Sequence, residues 1–512
     1  MKFLLDTNVA ISLEDPPHTV TPTNAKLARL CQQFKIELVV AEPNYQDVSR
    51  DHDTKRRQVF QSKLDKYPKL GSVHLPEQGT LERRFGEANG HNDLRDIELL
   101  AITARGAANF LISEDIRLHR RAKRAGVGDL VLDVRGALEL LEQLFVPKPV
   151  ELSDVESVPA YSLDIGDPLF NSLRDDYPGF DQWFEDKCVS TSRECWVVRI
   201  NQQLAGIIVR KDETPADADC RSHGSRILKL CTFKVSSGFL GEKLGELLLK
   251  QALWWSHLNS YDVVYLTVYE RHGELIDLLV RYGFEKTEMI DSGEWLLERT
   301  IHPVPAKHDV PANEIAVSNR RLYPSFILDE NTRTFYVPIQ AEYHERLFPE
   351  KSRRVQIELF PRVLSDGTTN RTPGNTIRKV YLCRARTRRL RPGDILAFYL
   401  SKDTRFKNFQ SLTTMGVVDG VAEATTLDEV VRATARRSVF SLREIEELVD
   451  EKHTPLKVID FLLVSHLENP IGLEKLKALG VLRGPPQTII ECKNPARVRL
   501  HEELRKEMAI WE

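Results

Sequence analysis

Long apolar runs are missing from this chain of 512 residues. Nowhere do the roughly 18 consecutive apolar residues of a membrane-spanning helix occur, and the first residues show no charged segment leading into a long apolar one. Neither a membrane span nor secretion is therefore expected. Cysteine is scarce: Cys31, Cys188, Cys195, Cys220, Cys231, Cys383 and Cys492 are an odd, scattered set without a CxxC pair. That excludes a disulfide framework and fits a reducing cytoplasm. Cys220, His223 and Cys231 are zinc-ligating residue types, but the further closely spaced cysteines of a structural zinc site are absent. Internal repeats and low-complexity tracts are also lacking. Net charge is small, −3, which excludes little because the charges are unevenly spread.

A composition of 41% hydrophobic and 29% charged residues is that of a globular protein. The length suggests about three domains. Two proline-bearing seams, "FVPKPVELSD" and "IHPVPAKHDVPANE", divide the chain. The expected organisation is a first domain over 1–148, a second over 149–304, an ordered aromatic connector over 305–349 and a third domain over 350–512.

In the first part, acidic residues recur where apolar strands end. "FLL" runs into Asp6, "LVV" into a turn and helix start carrying Glu42 and Asp47, and "NFLIS" into Glu114 and Asp115. In "DLRDIELLAITA", Ile97, Leu100, Ala101 and Ala104 share one helical face, with Asp93 and Asp96 near the N-terminus. Each acid alone reads as a helix cap. Together they predict parallel strands whose carboxyl ends gather carboxylates on one edge. Hard oxygen ligands of this kind suit Mg²⁺ or Mn²⁺, which can activate water for phosphodiester cleavage. The basic run "RLHRRAKR", from Arg117 to Arg124, offers phosphate contacts beside Asp115 or an ordinary solvated helix face.

These motifs, "FLLDTNV", "DIELLAITA" and "SED", resemble a PIN domain, a metal-dependent nuclease fold. The resemblance implies Asp6, Asp96 and Asp115 as metal ligands. Asp47 is preferred over Glu42 as the fourth catalytic acid, with Asp93 as an extra one. It places Thr7, Asn8 and Ser113 in support.

In the second part, paired strands in "CWVVRINQQLAGIIVRKDE" precede another strand, "SRILKLCTFKV". A glycine turn, "SSGFLGEKLGELLLK", then opens an amphipathic helix. Backbone N–H groups at such a turn and helix start bind anions. Together with "RHGELIDLLVRYGF", this order of elements resembles the GNAT acetyltransferases, in which acetyl-CoA splays the sheet open and lays its pyrophosphate on the turn. The resemblance implies acetyl-CoA contacts from Val235, Gly241, Lys243, Leu244, Gly245, Glu246 and His272. Lys243 replaces the usual middle glycine, His272 the usual asparagine and Leu279 the usual tyrosine. Glu270, His272 and Tyr282 are the candidates for proton transfer.

In the third part, twelve Lys and Arg stand against Glu358 and Asp366 between Lys351 and Arg391. Basic and apolar or aromatic residues alternate in "IRKVYLCRARTRRLRPGDILAFYLS", a pattern suited to phosphate contacts and base stacking, with Tyr381 on an accessible face. "LRPGDILAFY" followed by "MGVVDGV" resembles the PUA-like group, including ASCH and EVE modules, which bind RNA or modified bases. Arg378, Lys379, Arg384, Arg386, Arg388 and Arg389 are the expected nucleic-acid contacts.

The expected fold class is a multidomain α/β protein: a PIN-like sandwich with a parallel sheet, a GNAT α+β fold, and a PUA-like β-barrel with helices. The expected function is a metal-dependent ribonuclease carrying an acetyl-CoA-binding domain and an RNA reader, with RNA, tRNA being one candidate, or another nucleic acid as partner. Resemblance to toxin–antitoxin proteins adds an antitoxin partner. The alternative is an N-acetyltransferase acting on RNA or an RNA-associated protein.

Overall fold

The computed structural model describes residues 1–14, 20–145, 154–200, 202–236, 244–301, 310–328, 332–349, 371–373, 376–385, 387, 389–403, 409–434, 437–449 and 455–507. The protein is a multidomain α/β chain, with three sheets among the described residues. Its residues gather into two compact units, Met1–Pro149 with Ala422–Val458, and Val150–Val421 with Ile459–Glu512.

The first unit holds a parallel sheet in the order β2-β1-β3-β4, formed by β1 Lys2–Leu5, β2 Glu37–Val39, β3 Phe110–Ile112 and β4 Val131–Leu132. Phe3, Leu4, Leu5 and Phe110 to Ile112 are wholly buried. A parallel strand covered on both faces has to be apolar throughout, which is why these segments read as unbroken apolar runs. Asp6 N–H extends the ladder to the Ile112 carbonyl at 2.9 Å, and Ser113 N–H to that of Leu132 at 2.9 Å. Asp6 and Ser113 thereby sit at the shared carboxyl edge.

Residues 422–458, taken from sequence as part of the third domain, belong to this unit. The Arg432 guanidinium donates to the carbonyls of Ala108 and Thr103, each at 2.8 Å, at the end of the helix His91–Ala104.

The second unit contains two sheets. The larger runs β10-β11-β9-β8-β7-β6-β5-β13. Its strands are β5 Asp154–Pro159, β6 Glu194–Ile200, β7 Gln203–Glu213, β8 Ile227–Val235, β9 Val263–Tyr269, β10 Glu285–Met289, β11 Glu294–Thr300 and β13 Arg371–Pro373. All pairings are antiparallel except β8 with β9. The helix Leu244–Leu258 covers one face, packing Leu248, Leu249 and Leu253 on Trp196, Val198 and Ile208. Close approach demands Gly206 beneath it, where a Cβ would stand 2.9 Å from Leu248 Cδ1.

The smaller sheet runs β14-β17-β16-β15-β12-β18, with β12 Thr334–Ile339, β14 Arg378–Cys383, β15 Ile395–Leu400, β16 Ser411–Ala424, β17 Leu456–Gly472 and β18 Ile490–Cys492. Among the described residues no pairing joins β14 to β18. The stretch read as a connector supplies β12, an inner strand parallel to β15. Its apolar character is that of a buried strand: Phe335, Tyr336, Val337 and Ile339 are all buried. Arg371–Pro373, beyond the expected third boundary, pairs with β5 of the larger sheet.

Candidate functional site

At the carboxyl edge of the first unit, Asp6 occupies the cap position of the helix Thr7–Leu13, yet its side chain makes no capping hydrogen bond. It is buried and accepts from Ser113 Oγ at 2.7 Å. Burial raises its pKa, and the carboxylates of Asp115 and Asp47 add to the rise. Asp96 is pushed up to about 7, first by burial and then by Asp6, Asp115, Asp93 and Asp47. The acids named from sequence therefore do lie within electrostatic reach of one another.

Their individual roles differ. Asp115 caps the helix Ile116–Arg124, accepting from the N–H groups of Arg117 at 2.7 Å and Leu118 at 3.4 Å. Asp93 is held by Arg121 at 3.1 Å. Glu42 is exposed and paired with Lys69, which lowers its pKa, whereas Asp47 acts electrostatically on Asp6 and Asp96. Asn8 is exposed, whereas Thr7 is buried and accepts from Asn44 Nδ2 at 3.2 Å. Asn44, which sequence reasoning passed over, is fully buried and also donates to the Leu5 carbonyl at 3.0 Å. Its polar side chain amid "AEPNYQDV" was the available signal. Of the basic run, Arg121 turns inward to the carbonyls of Phe85, Gly86 and Glu87, while Arg117 is exposed.

The fit to Mg²⁺ or Mn²⁺ is incomplete. Among the described residues no group of three or more His, Cys, Asp or Glu side chains could hold a metal ion.

In the second unit, β8 and β9 pair only at Ile227 with Val263, Leu228 with Val264 and Lys229 with Tyr265. Beyond that point β8 continues to Val235 against β7, and β9 to Tyr269 against β11. The two strands part, leaving facing backbone edges between which no strand lies among the described residues. Val235 ends the first of these edges, paired with Gly206. Gly241 and Lys243 lie outside the described residues. Leu244 is buried core, and Gly245 packs near Leu278. Glu246 accepts from the N–H groups of Ile377 at 2.7 Å and Arg378 at 3.0 Å, so its carboxylate serves the adjoining sheet.

At the mouth of the parting, His272 precedes the helix Gly273–Arg281, and its Nε2 stands 3.2 Å from Asp176 Oδ2. Asp176 also pairs with Arg271 at 2.8 Å. Tyr177 donates to Glu294 Oε1 at 3.0 Å, and Thr267 and Ser292 add hydroxyl donors. Burial lowers the pKa of His272, opposed by Asp176 and assisted by Lys234 and Arg271. Glu270 is exposed and paired with Lys286. Leu279 and Tyr282 are core residues, and the Tyr282 hydroxyl has no partner among the described residues. Asp176, Tyr177 and Glu294 were missed because they come from segments far apart in sequence.

On the smaller sheet, Lys379 is buried and Arg378 lies 3.4 Å from Asp419. Arg384 is exposed, and the exposed Arg389 stands 3.5 Å from Glu491. Arg386 and Arg388 lie outside the described residues. Tyr381 is partly buried and donates to the Pro338 carbonyl at 3.0 Å.

No known family profile matches the chain. No curated protein matches it either. Solved structures do. The ASCH protein of Zymomonas mobilis is 11% identical with a TM-score of 0.24, covering 33% of this chain and 94% of its own. The PaiA N-acetyltransferase of Thermoplasma acidophilum, solved with coenzyme A, is 14% identical with a TM-score of 0.21, over 26% of this chain and 87% of its own. A GNAT family acetyltransferase of Elizabethkingia anophelis, solved with acetyl-CoA, is 17% identical with a TM-score of 0.20, over 28% and 97%. The nuclease expectation, its metal and an antitoxin partner draw no support from these matches. Among the described residues no helix is long and apolar enough to cross a membrane.

Proposed function

We propose that the chain is an acetyl-CoA-dependent N-acetyltransferase acting on RNA or an RNA-associated protein, with the basic strand region positioning the substrate. The observation that carries this reading is the parting of β8 and β9 after three paired residues. Backbone N–H and C=O groups on separated parallel strands need partners, and an extended ligand with amide groups supplies them. The helix Leu244–Leu258 starts on the same side, and its N-terminus suits a pyrophosphate. The exposed Arg384 and Arg389 offer phosphate contacts for the acceptor.

Titration calorimetry of the full chain with acetyl-CoA tests this directly. Micromolar binding that coenzyme A competes for is expected. Absence of binding at millimolar acetyl-CoA would remove the reading.

A second reading, a metal-dependent ribonuclease, is favoured by one observation: four neighbouring carboxylates add to the rise in Asp96's pKa. Cleavage of labelled total RNA that requires Mn²⁺, stops with EDTA and is lost in Asp6→Asn would establish it. RNA left intact by the wild-type protein with Mn²⁺ would exclude it.

A further inference from the structure

Three polar elements meet where β8 and β9 part. Lys234 lies on β8 beyond the last residue paired with β9. His272 follows β9 directly, with its N–H bonded to the Tyr269 carbonyl at 2.9 Å. Asp176 ends the helix Asn171–Asp176 and reaches both His272 and Arg271. The next residue, Tyr177, bonds Glu294 and packs its ring 5.2 Å from that of Tyr269. Asp176 and Tyr177 therefore hold a segment distant in sequence against β9, β11 and the turn after β9.

The imidazole is neither buried nor free: its side chain is 32% exposed and that of Asp176 is 17% exposed. One ring nitrogen is committed to the carboxylate, which fixes the ring's orientation and leaves the other nitrogen for a proton. An Asp beside a His in this manner stabilises the imidazolium that forms on proton uptake.

We propose that His272 is the base that takes the acceptor's proton and that Asp176 is its positioning residue. This rests on the acetyl-transfer reading above. In going from ammonium to amide, the acceptor nitrogen sheds two protons. The first passes to His272 and on to solvent. The nitrogen then attacks the thioester carbonyl, the C–N bond forms and the C–S bond breaks. The second proton ends on the departing thiolate, giving the thiol.

The groups acting on His272 are Asp176 from the helix Asn171–Asp176, Lys234 from β8 and Arg271 beside it in the chain. Asp176 favours the protonated ring, whereas Lys234 and Arg271 disfavour it. Since burial and Lys234 hold the ring below its ordinary pKa, it is neutral near pH 7 and able to accept a proton.

The experiment uses the full chain, radiolabelled acetyl-CoA, and two acceptor probes: a pool of synthetic hexapeptides with free amines, and total RNA. Acetyl-CoA binding is measured separately by calorimetry. His272→Gln, whose amide can still hydrogen-bond the coenzyme, should lose about 100-fold or more in kcat, far more than it loses in acetyl-CoA affinity, along with the acidic limb of the pH profile. Asp176→Asn should move that limb to lower pH, and Lys234→Met should move it to higher pH. A merely structural role for either residue would not shift the limb in opposite directions. Unchanged kcat and pH profile in His272→Gln would overturn the proposal. So would acetyl-CoA binding by the wild type without transfer to either probe, which leaves coenzyme binding intact. Failure of the wild type to bind acetyl-CoA at all would overturn the acetyl-transfer reading itself, and this proposal with it.

Discussion

Glu246 Oε1 accepts two backbone hydrogen bonds, from Ile377 N–H at 2.7 Å and from Arg378 N–H at 3.0 Å. The first turn of the helix Leu244–Leu258 is thus fastened to the start of the basic strand β14. The buried Arg299 ties the same neighbourhood together, donating to the carbonyls of Tyr282 and Tyr323. Tyr323 in turn bonds Trp254 at 2.9 Å and the Leu463 carbonyl at 3.2 Å. The larger sheet and the smaller sheet share one core cluster, which includes Ile377 and Leu462.

Replacing Glu246 by Ala should therefore destabilise the second unit. Two N–H groups lose a carboxylate acceptor, a loss on the order of 2–4 kcal/mol. Glu246→Gln keeps an acceptor oxygen and should cost less than half as much. Differential scanning calorimetry of the full chain checks the order, wild type above Gln above Ala. Equal melting for all three would show that the pair of bonds contributes nothing.

Asp96 provides a pH test. Its folded-state pKa, pushed up to about 7 from 3.8, means that the folded chain holds a proton that the unfolded chain has released between those values. Stability contributed by this site accordingly falls as pH rises from about 4 to about 7, and the full penalty applies above. The shift corresponds to at most about 4 kcal/mol, reduced by solvent screening at a partly exposed carboxyl. Asp96→Asn should be more stable than wild type at pH 8 and indistinguishable from it near pH 4. Urea denaturation at both pH values measures the difference; a variant no more stable at pH 8 would contradict the electrostatic account.

Arg432 should be needed by the first unit. It closes the Thr103 carbonyl at the C-terminal end of the helix His91–Ala104, where a cation also meets the negative end of the helix dipole, and the Ala108 carbonyl beyond it. Arg432→Ala should cost about 2–3 kcal/mol through two lost charge-assisted bonds. Faster cleavage within residues 1–149 under limited proteolysis is the expected readout. An unchanged cleavage pattern would make the inserted residues dispensable.

Much of this architecture was legible because local pattern and tertiary role coincide. "KFLL" and "NFLI" read as buried parallel strands since both faces are covered, and Asp6 and Ser113 follow from where those strands end. The strands, the helix Leu244–Leu258 and the acids at strand ends are all consequences of short-range pattern. The boundaries were less legible. "TFYVPI" is aromatic and apolar in any setting, and nothing local says that it pairs with Ile395–Leu400. Residues 422–458 likewise carry ordinary helical patterns, while their membership in the first unit rests on partners more than 300 residues away in the chain, such as Ala108 for Arg432.

The sequence by itself determined which segments are strands or helices and which residue types lie at their ends, because backbone periodicity and apolar spacing act over a few residues. Only the tertiary structure decided what each charge faces. Lys379 is buried while Arg384 is exposed, although both belong to one basic run. Glu246 serves β14, and His272 meets Asp176 from a helix about a hundred residues earlier. Burial and pairing are set by which distant segments pack together, and a side chain's chemistry follows from those neighbours.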